Sequence, residues 1–114
     1  MLGAMDAAQA IADLTEISPQ VREVAVLAAD GSLVGSNAPA ENAAHLADVA
    51  KRLVAEAEAL RPGLAQLEAA TVSGSVFVVR DGGRLIAATT TPEPTVGLVF
   101  YDLKFCLRSV DAAA

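Results

Sequence analysis

Residues 21–29 are the part of the sequence that most restricts the fold. They place apolar side chains on both sides of a predicted strand: Val24, Val26 and Ala28 on one side, and Ala25, Leu27 and Ala29 on the other. Successive side chains of a strand point to opposite faces of the sheet, so this strand has no face suited to water. Such a strand lies inside a sheet that is covered by helices on both faces. The sequence therefore predicts an α/β domain.

Turn and helix signals give the order of the other elements. Asp30-Gly31 and Asp81-Gly82-Gly83 suit turns with positive φ and predict two hairpins, and Ser73-Gly74-Ser75 is predicted as a further turn. Helices are predicted at 6–17, 41–60 and 96–110, and strands at 21–29, 32–35, 67–72, 76–79 and 85–89. The longest helix has an alanine-rich apolar stripe with a period close to 3.6 residues. The predicted order is α-β-β-α-β-β-β-α.

Length and charge exclude several classes of protein. The 114 residues fit a single domain over 1–114. Eight basic residues against 14 acidic ones give a net charge of −6, which argues against nucleic-acid binding and against attraction to anionic membranes. No apolar run reaches the ~20 residues of a membrane span, and the N-terminus does not resemble a secretion signal. We therefore expect no membrane span and a cytoplasmic location.

The sequence offers few residues for chemistry. One cysteine and one histidine can form neither an internal disulfide nor a zinc site by themselves. Lys104 and Arg108 could lower the pKa of Cys106, but its apolar helix favours a buried packing cysteine. His45 and Asp48 share one helix face, which is better explained as a solvated surface. We therefore predict no catalytic residue, no metal, no cofactor and no enzymatic activity.

Two groups of charged residues also need an interpretation. An arginine can assist phosphoryl transfer when it is supplied to a GTPase. The candidates are Arg52, Arg61, Arg80 and Arg84, of which the last two flank a hairpin tip and could project. The simpler interpretation, solubilising charge beside turns, is favoured. Glu56, Glu58 and Glu68 are interpreted as ordinary surface charge.

Three stretches carry a resemblance to a known family. They are residues 24–34, the alanine-rich helix around 46–50, and residues 83–103 with LIAA followed by VGLVFYDL. Together they resemble the roadblock (dynein light chain) domain family, and the likeness extends over residues 5–110. The matching motifs are hydrophobic and turn patterns. The element order agrees with that of the family.

The resemblance implies a roadblock/profilin-like α+β fold. One long middle helix would lie on one face of a five-stranded antiparallel sheet, and two terminal helices on the other. It also implies a homodimer in which the middle helices pack together and the third strands pair. The interface would contain Leu46, Val49, Ala50, Leu53, Ala57, Leu67, Ala69 and Thr71. Thr71→Pro or Ala50→Arg should then dissociate the dimer.

The same resemblance suggests a function. Bacterial members regulate small Ras-like GTPases, so the chain is expected to bind such a GTPase and modulate its nucleotide cycle. The alternative is a non-catalytic scaffold, similar to the dynein light chains, that bridges proteins. A small-molecule sensor is the third possibility. It is weakened because the strands offer few inward polar residues for a ligand pocket.

Overall fold

Five antiparallel strands form one sheet in the order β2-β1-β5-β4-β3. The structure is a computed structural model that describes residues 5–111. Its elements are α1 (Ala7–Ile17), β1 (Val21–Leu27), β2 (Leu33–Ser36), α2 (Ala40–Leu60), β3 (Gln66–Thr71), β4 (Gly74–Asp81), β5 (Arg84–Thr90) and α3 (Val96–Ser109). The order α-β-β-α-β-β-β-α and the five-stranded antiparallel sheet confirm the predicted fold class.

The helices cover the two faces of the sheet as expected. Helices α1 and α3 lie on one face and α2 lies on the other. In β1, Val24 and Val26 enter the core under α1 and α3, whereas Ala25 and Leu27 enter the core under α2. All four side chains are fully buried. The alternation of apolar residues on both sides of this strand thus places it inside the sheet, between β2 and β5.

The two cores differ in the size of their side chains. Under α1 and α3, Phe77 is fully buried and its ring meets that of Phe100 edge to face, with 4.9 Å between centroids. Under α2 the buried positions include Ala47, Ala50 and Ala87. Small side chains allow the helix axis to approach the sheet closely. The same small side chains are too short to extend the core toward the edge of the sheet.

The turn predicted at Ser73-Gly74-Ser75 lies earlier in the chain, and of these three residues only Ser73 belongs to it. Gly74 pairs with Thr71 inside the β3–β4 ladder, and the turn residues are Val72 and Ser73. The Thr71 hydroxyl closes the turn, since it donates to the Gly74 carbonyl at 2.6 Å and lies 3.3 Å from the Ser73 amide nitrogen. Gly74 has φ +146°, and a Cβ there would collide with the carbonyl oxygen of Thr90. The glycine therefore marks a close approach of two backbones rather than a turn.

The first strand ends two residues earlier than predicted, at Leu27. The Ala28 carbonyl accepts from the Gly31 amide at 2.9 Å, and the Ala28 amide donates to the Ser32 carbonyl at 2.9 Å. These hydrogen bonds place Ala28 in the turn around Asp30. The apolar alternation of the sequence therefore continues to Ala29, past the end of the strand at Leu27. The third strand also shifts by one residue, and Val72 is fully exposed in its turn.

Candidate interaction surface on the middle helix and the third strand

Strand β3 is an edge of the sheet and pairs with β4 only. The Arg80 amide donates to the Ala65 carbonyl at 2.8 Å, which fixes the alternation of hydrogen-bonded pairs along this antiparallel ladder. The backbone groups of Leu67 and Ala69 point toward β4. Those of Gln66, Glu68 and Ala70 point away from it. Within residues 5–111 no strand pairs with this outer edge, which is therefore open to another chain.

The middle helix leaves this side of the sheet partly uncovered. Helix α2 packs mainly on β1, β5 and β2. The side chains of Leu67 and Val76 face the same side as α2 but are only half-buried. We define the α2–β3 surface as Val49, Leu53, Ala57, Leu67, Ala69 and Val76, all half-buried. It is a continuation of the core that reaches solvent beside the open edge of the sheet.

The structure divides the eight residues predicted for a dimer interface into groups. Val49, Leu53, Ala57, Leu67 and Ala69 lie on the α2–β3 surface. Leu46 and Ala50 are 5% and 0% exposed, because they pack under α2 against the sheet of the same chain. Thr71 is exposed, but its hydroxyl closes the β3–β4 turn. Val76 also lies on the α2–β3 surface but is not among the eight predicted residues.

These positions change which substitutions can test the interface. Arginine at position 50 would enter the core of the chain itself, so Ala50→Arg would disrupt folding before it could report on assembly. Thr71→Pro would remove the amide that pairs with Gly74 and would open the hairpin. Ala69 is half-buried on the α2–β3 surface and is a better position for a test.

Glu58 fixes the loop that joins α2 to β3. Its carboxylate accepts from the amides of Gly63 and Leu64 at 2.8 and 3.1 Å, and from the Arg80 guanidinium at 2.7 Å. These hydrogen bonds, that of Gly63 first, hold the pKa of the Glu58 carboxyl below its ordinary value. The interpretation of Glu58 as ordinary surface charge is wrong, because its carboxylate ties the end of the helix to the start of β3 and to β4.

Glu68 is also more than surface charge. It lies on β3 with its side chain on the face opposite to α2, and its carboxylate accepts from the hydroxyl of buried Ser75 at 2.8 Å. The open edge thus carries one charged side chain, and it is held against the sheet. Glu56 is exposed, as expected.

The two arginines beside the last hairpin do not project freely. Arg80 is bound to Glu58. Arg84 donates to the carbonyls of Leu107 and Val110 at 3.0 and 3.2 Å, where α3 ends. A cation at this position stabilises the carbonyl end of the helix. Arg52 and Arg61 are exposed on and after α2.

The remaining candidates for chemistry have structural environments. Cys106 is 4% exposed, and its thiol donates to the Ala10 carbonyl at 3.5 Å. Burial, and then the charge of Asp13, raise the pKa of this thiol to about 12. The interpretation as a packing cysteine is thus supported, and the pKa of the thiol is raised rather than lowered. His45 is exposed on α2, while Asp48 lies 4.0 Å from Lys51.

Within residues 5–111, no three His, Cys, Asp or Glu side chains come together in a way that could hold a metal ion. None of the described helices combines the length and the apolar character that crossing a membrane requires.

Neither the protein-family models nor the curated proteins include a match to this chain. Solved structures are similar to it in fold. The Roadblock/LC7 domain from Streptomyces avermitilis is 18% identical with a TM-score of 0.79, over 92% of this chain and 94% of that domain. MglB of Myxococcus xanthus is 17% identical with a TM-score of 0.71, over 90% of this chain and 85% of MglB.

An MglB with a tetrameric arrangement is 14% identical with a TM-score of 0.66, over 89% of this chain and 82% of that one. At these identities the likeness establishes the fold. The observed fold agrees with the resemblance found in the sequence, which implied the same five-stranded sheet and the same placement of the three helices. This chain has the roadblock/LC7 fold.

Proposed function

We propose that this chain, as one roadblock-like domain over residues 1–114, is a cytoplasmic homodimer that binds a small Ras-like GTPase and modulates its nucleotide cycle. The observation that carries the proposal is the α2–β3 surface beside an open strand edge. An apolar surface of this kind marks an interaction site when it is not covered by the chain itself. The roadblock fold supplies the expected type of assembly and partner.

In the proposed dimer the β3 edges of two copies pair. Strand addition would satisfy the outward backbone groups of Gln66, Glu68 and Ala70 and would join two sheets of five strands into one. A two-fold axis makes the contact self-complementary, so the same side chains meet from both copies. Val49 and Leu53 would then pack against α2 of the partner. The small side chain of Ala69 would let the two layers approach.

The partner GTPase would supply the chemistry. Arg80 and Arg84 are engaged within the chain, so the proposal does not assign either of them to a transition state. A binding protein can still change a nucleotide cycle if it binds one arrangement of the switch loops more tightly than another. The size of the effect is set by that difference in affinity. No cofactor is required.

The test starts from the immobilised chain and an extract of the cells that make it. The extract is loaded with either GDP or a slowly hydrolysed GTP analogue, and any small GTPase that is retained is purified. Single-turnover GTP hydrolysis and GDP release are then measured with and without the chain. The proposal predicts retention that depends on the nucleotide, and a change of at least about tenfold in one of the two rates.

Retention of a GTPase with both rates unchanged would contradict regulation and support the scaffold alternative. Retention of no small GTPase with either nucleotide would contradict both. The Ala69→Arg variant provides a control for assembly. A regulator that works only as a dimer loses its effect in that variant.

A further inference from the structure

A second uncovered apolar surface lies on the opposite side of the sheet, between α1 and α3. Ile17 at the end of α1 is 62% exposed. Leu98, Tyr101 and Phe105 of α3 are 50%, 67% and 60% exposed. Their spacing of three and four residues places them along one side of the helix. With Val96 at the start of α3, five of the eight large apolar residues that are exposed among residues 5–111 are on these two helices.

A groove runs beside these residues. The start of α1 lies next to the end of α3, since Met5 bridges to Val110 and the Cys106 thiol reaches the Ala10 carbonyl. The two helices are therefore antiparallel neighbours. Ala10, Leu14 and Cys106 form the floor of the groove, while Ile17 and Phe105 flank it. We call the groove, together with Leu98 and Tyr101, the α1–α3 surface.

Two carboxylates open into the groove, and no Lys or Arg of the described residues lines it. Asp13 on α1 accepts one hydrogen bond, from the side-chain amide of Gln9 at 2.9 Å. Asp102 on α3 is 8% exposed, and its carboxylate makes no hydrogen bond or ion pair with residues 5–111. Among residues 5–111, Ser18 Oγ is the one side-chain oxygen or nitrogen that has no hydrogen bond and is also closed off from solvent. The Asp102 carboxylate has no hydrogen bond either, so it is not closed off. The unbonded Asp102 carboxylate therefore opens onto the groove.

A nearly buried carboxylate without a partner is costly unless a cation can reach it. The same groove offers an apolar floor and exposed aromatic side chains, which are the usual anchors of protein interfaces. A groove between two helices accepts a third helix whose apolar ridge fills it. The occupant that fits is thus an amphipathic helix with apolar residues on one side and lysine or arginine on the flank that meets Asp13 and Asp102.

We propose that the α1–α3 surface docks such a basic amphipathic helix of a partner protein. The charges argue against the other occupants. A second copy of this chain would bring the carboxylates of both grooves close together, and an anionic membrane would be repelled by them. The surface lies on the face of the sheet opposite α2. One chain could therefore hold this partner while its α2–β3 surface is occupied.

A display library of helical peptides provides the test. One side of each peptide is apolar, and the flank is randomised over Lys, Arg, Glu, Gln and Ser. Selection is carried out against the full chain, and the dissociation constants of the enriched peptides are measured by fluorescence anisotropy. The proposal predicts enrichment of Lys or Arg on the flank, because a cation forms a stronger, charge-assisted hydrogen bond with the Asp102 carboxylate than Gln or Ser does.

Three variants locate the binding site. The double substitution Asp13→Asn and Asp102→Asn should weaken binding about ten- to hundredfold, and Phe105→Ala should weaken it at least about tenfold. Leu33→Ala, an exposed apolar residue on β2, serves as the matched control and should leave the affinity unchanged. Denaturation of each variant verifies that it is folded.

Several results would overturn the proposal. They are enrichment of acidic or uncharged flanks, failure to enrich any peptide, and equal binding by the double asparagine variant. Binding of the chain to phosphatidylserine vesicles would point to a membrane instead. Loss of peptide binding in Ala69→Arg but not in Phe105→Ala would place the peptide on the α2–β3 surface. None of these results bears on whether the chain binds a GTPase, so the two proposals fail separately.

Discussion

Glu58 on α2 and Arg80 on β4 form an ion pair, with 2.7 Å between Oε1 and Nη2. The same carboxylate accepts from the Gly63 and Leu64 amides, so it connects the end of the helix, the following loop and the sheet. Side chains of both residues are about one-third exposed. A solvated pair of this kind contributes little by charge alone. The hydrogen bonds from the Gly63 and Leu64 amides to the Glu58 carboxylate fix the position where β3 begins.

Acid should therefore unfold the Glu58→Gln variant differently from the natural chain. The pKa of the folded carboxyl lies below its ordinary value of 4.5. Its contribution to stability is then fully present above about pH 4.5, and it is lost as the pH falls through the lowered pKa of the folded state. Glu58→Gln removes this dependence, so the stability difference between the two proteins should be largest at neutral pH and shrink below pH 4.5.

Urea unfolding between pH 3 and pH 7, at one protein concentration, measures this difference. Glu56→Gln is the matched control, because Glu56 is exposed on the same helix. A stability difference for Glu58→Gln that stays constant across this range would show that the carboxylate charge is unimportant.

Gly74→Ala should destabilise the fold by about 2–4 kcal/mol, because the new Cβ combines backbone strain with a collision against the Thr90 carbonyl. Gly82→Ala provides the control. Gly82 also has positive φ, +60°, but nothing lies within 4 Å of a Cβ there. Its cost should be limited to about 1–2 kcal/mol of backbone strain. Equal unfolding free energies for the two variants would mean that the β4–β5 backbones are not as close as described.

Cys106 should be nearly inert in the folded protein. Its pKa is raised from 9.0 to about 12, and the thiolate is the reactive form. At pH 8 a disulfide reagent should label it at least about a hundredfold more slowly than in guanidinium chloride, where the thiol is exposed. Rapid, complete labelling of the native protein would show that the groove floor opens readily. If secondary structure is lost on labelling, the reagent reaches the thiol because the fold opens. If secondary structure is kept, the thiol is exposed in the folded protein.

Much of the fold follows from local patterns. The alternation in β1 required helices on both faces of the sheet, and the Asp-Gly turns located two hairpins. The errors have local physical causes. Gly74 was interpreted as a turn residue because sequence alone does not show that the Thr90 backbone comes too close for a side chain.

The proposed interface was harder to place from the sequence, because a helical stripe does not show how the helix is rotated on the sheet. Leu46, Val49, Ala50 and Leu53 all belong to the apolar stripe of α2. The rotation of the helix buries the first and third against its own sheet and leaves the other two half-buried. The role of Glu58 depends on Arg80, which is distant in sequence. The role of Asp102 depends on the lack of a hydrogen-bond partner within residues 5–111. No periodicity reports either one.

In the proposed dimer, the α2–β3 surface pairs with a second copy of the chain. Ala69→Arg would place a charge on each side of the two-fold contact and should weaken the dimer at least about a hundredfold. Ala44→Arg is the matched control. Ala44 is exposed on the flank of α2 that also carries Lys51, whose ammonium reaches the Gly31 carbonyl on the β2 side of the sheet.

Light scattering coupled to size exclusion, at micromolar concentration, measures the mass of each protein most directly. The natural chain and Ala44→Arg should have twice the 11.6 kDa of one chain, while Ala69→Arg should have the mass of a single chain. A natural chain that is monomeric at all accessible concentrations would contradict the account, and so would an Ala69→Arg variant that stays dimeric.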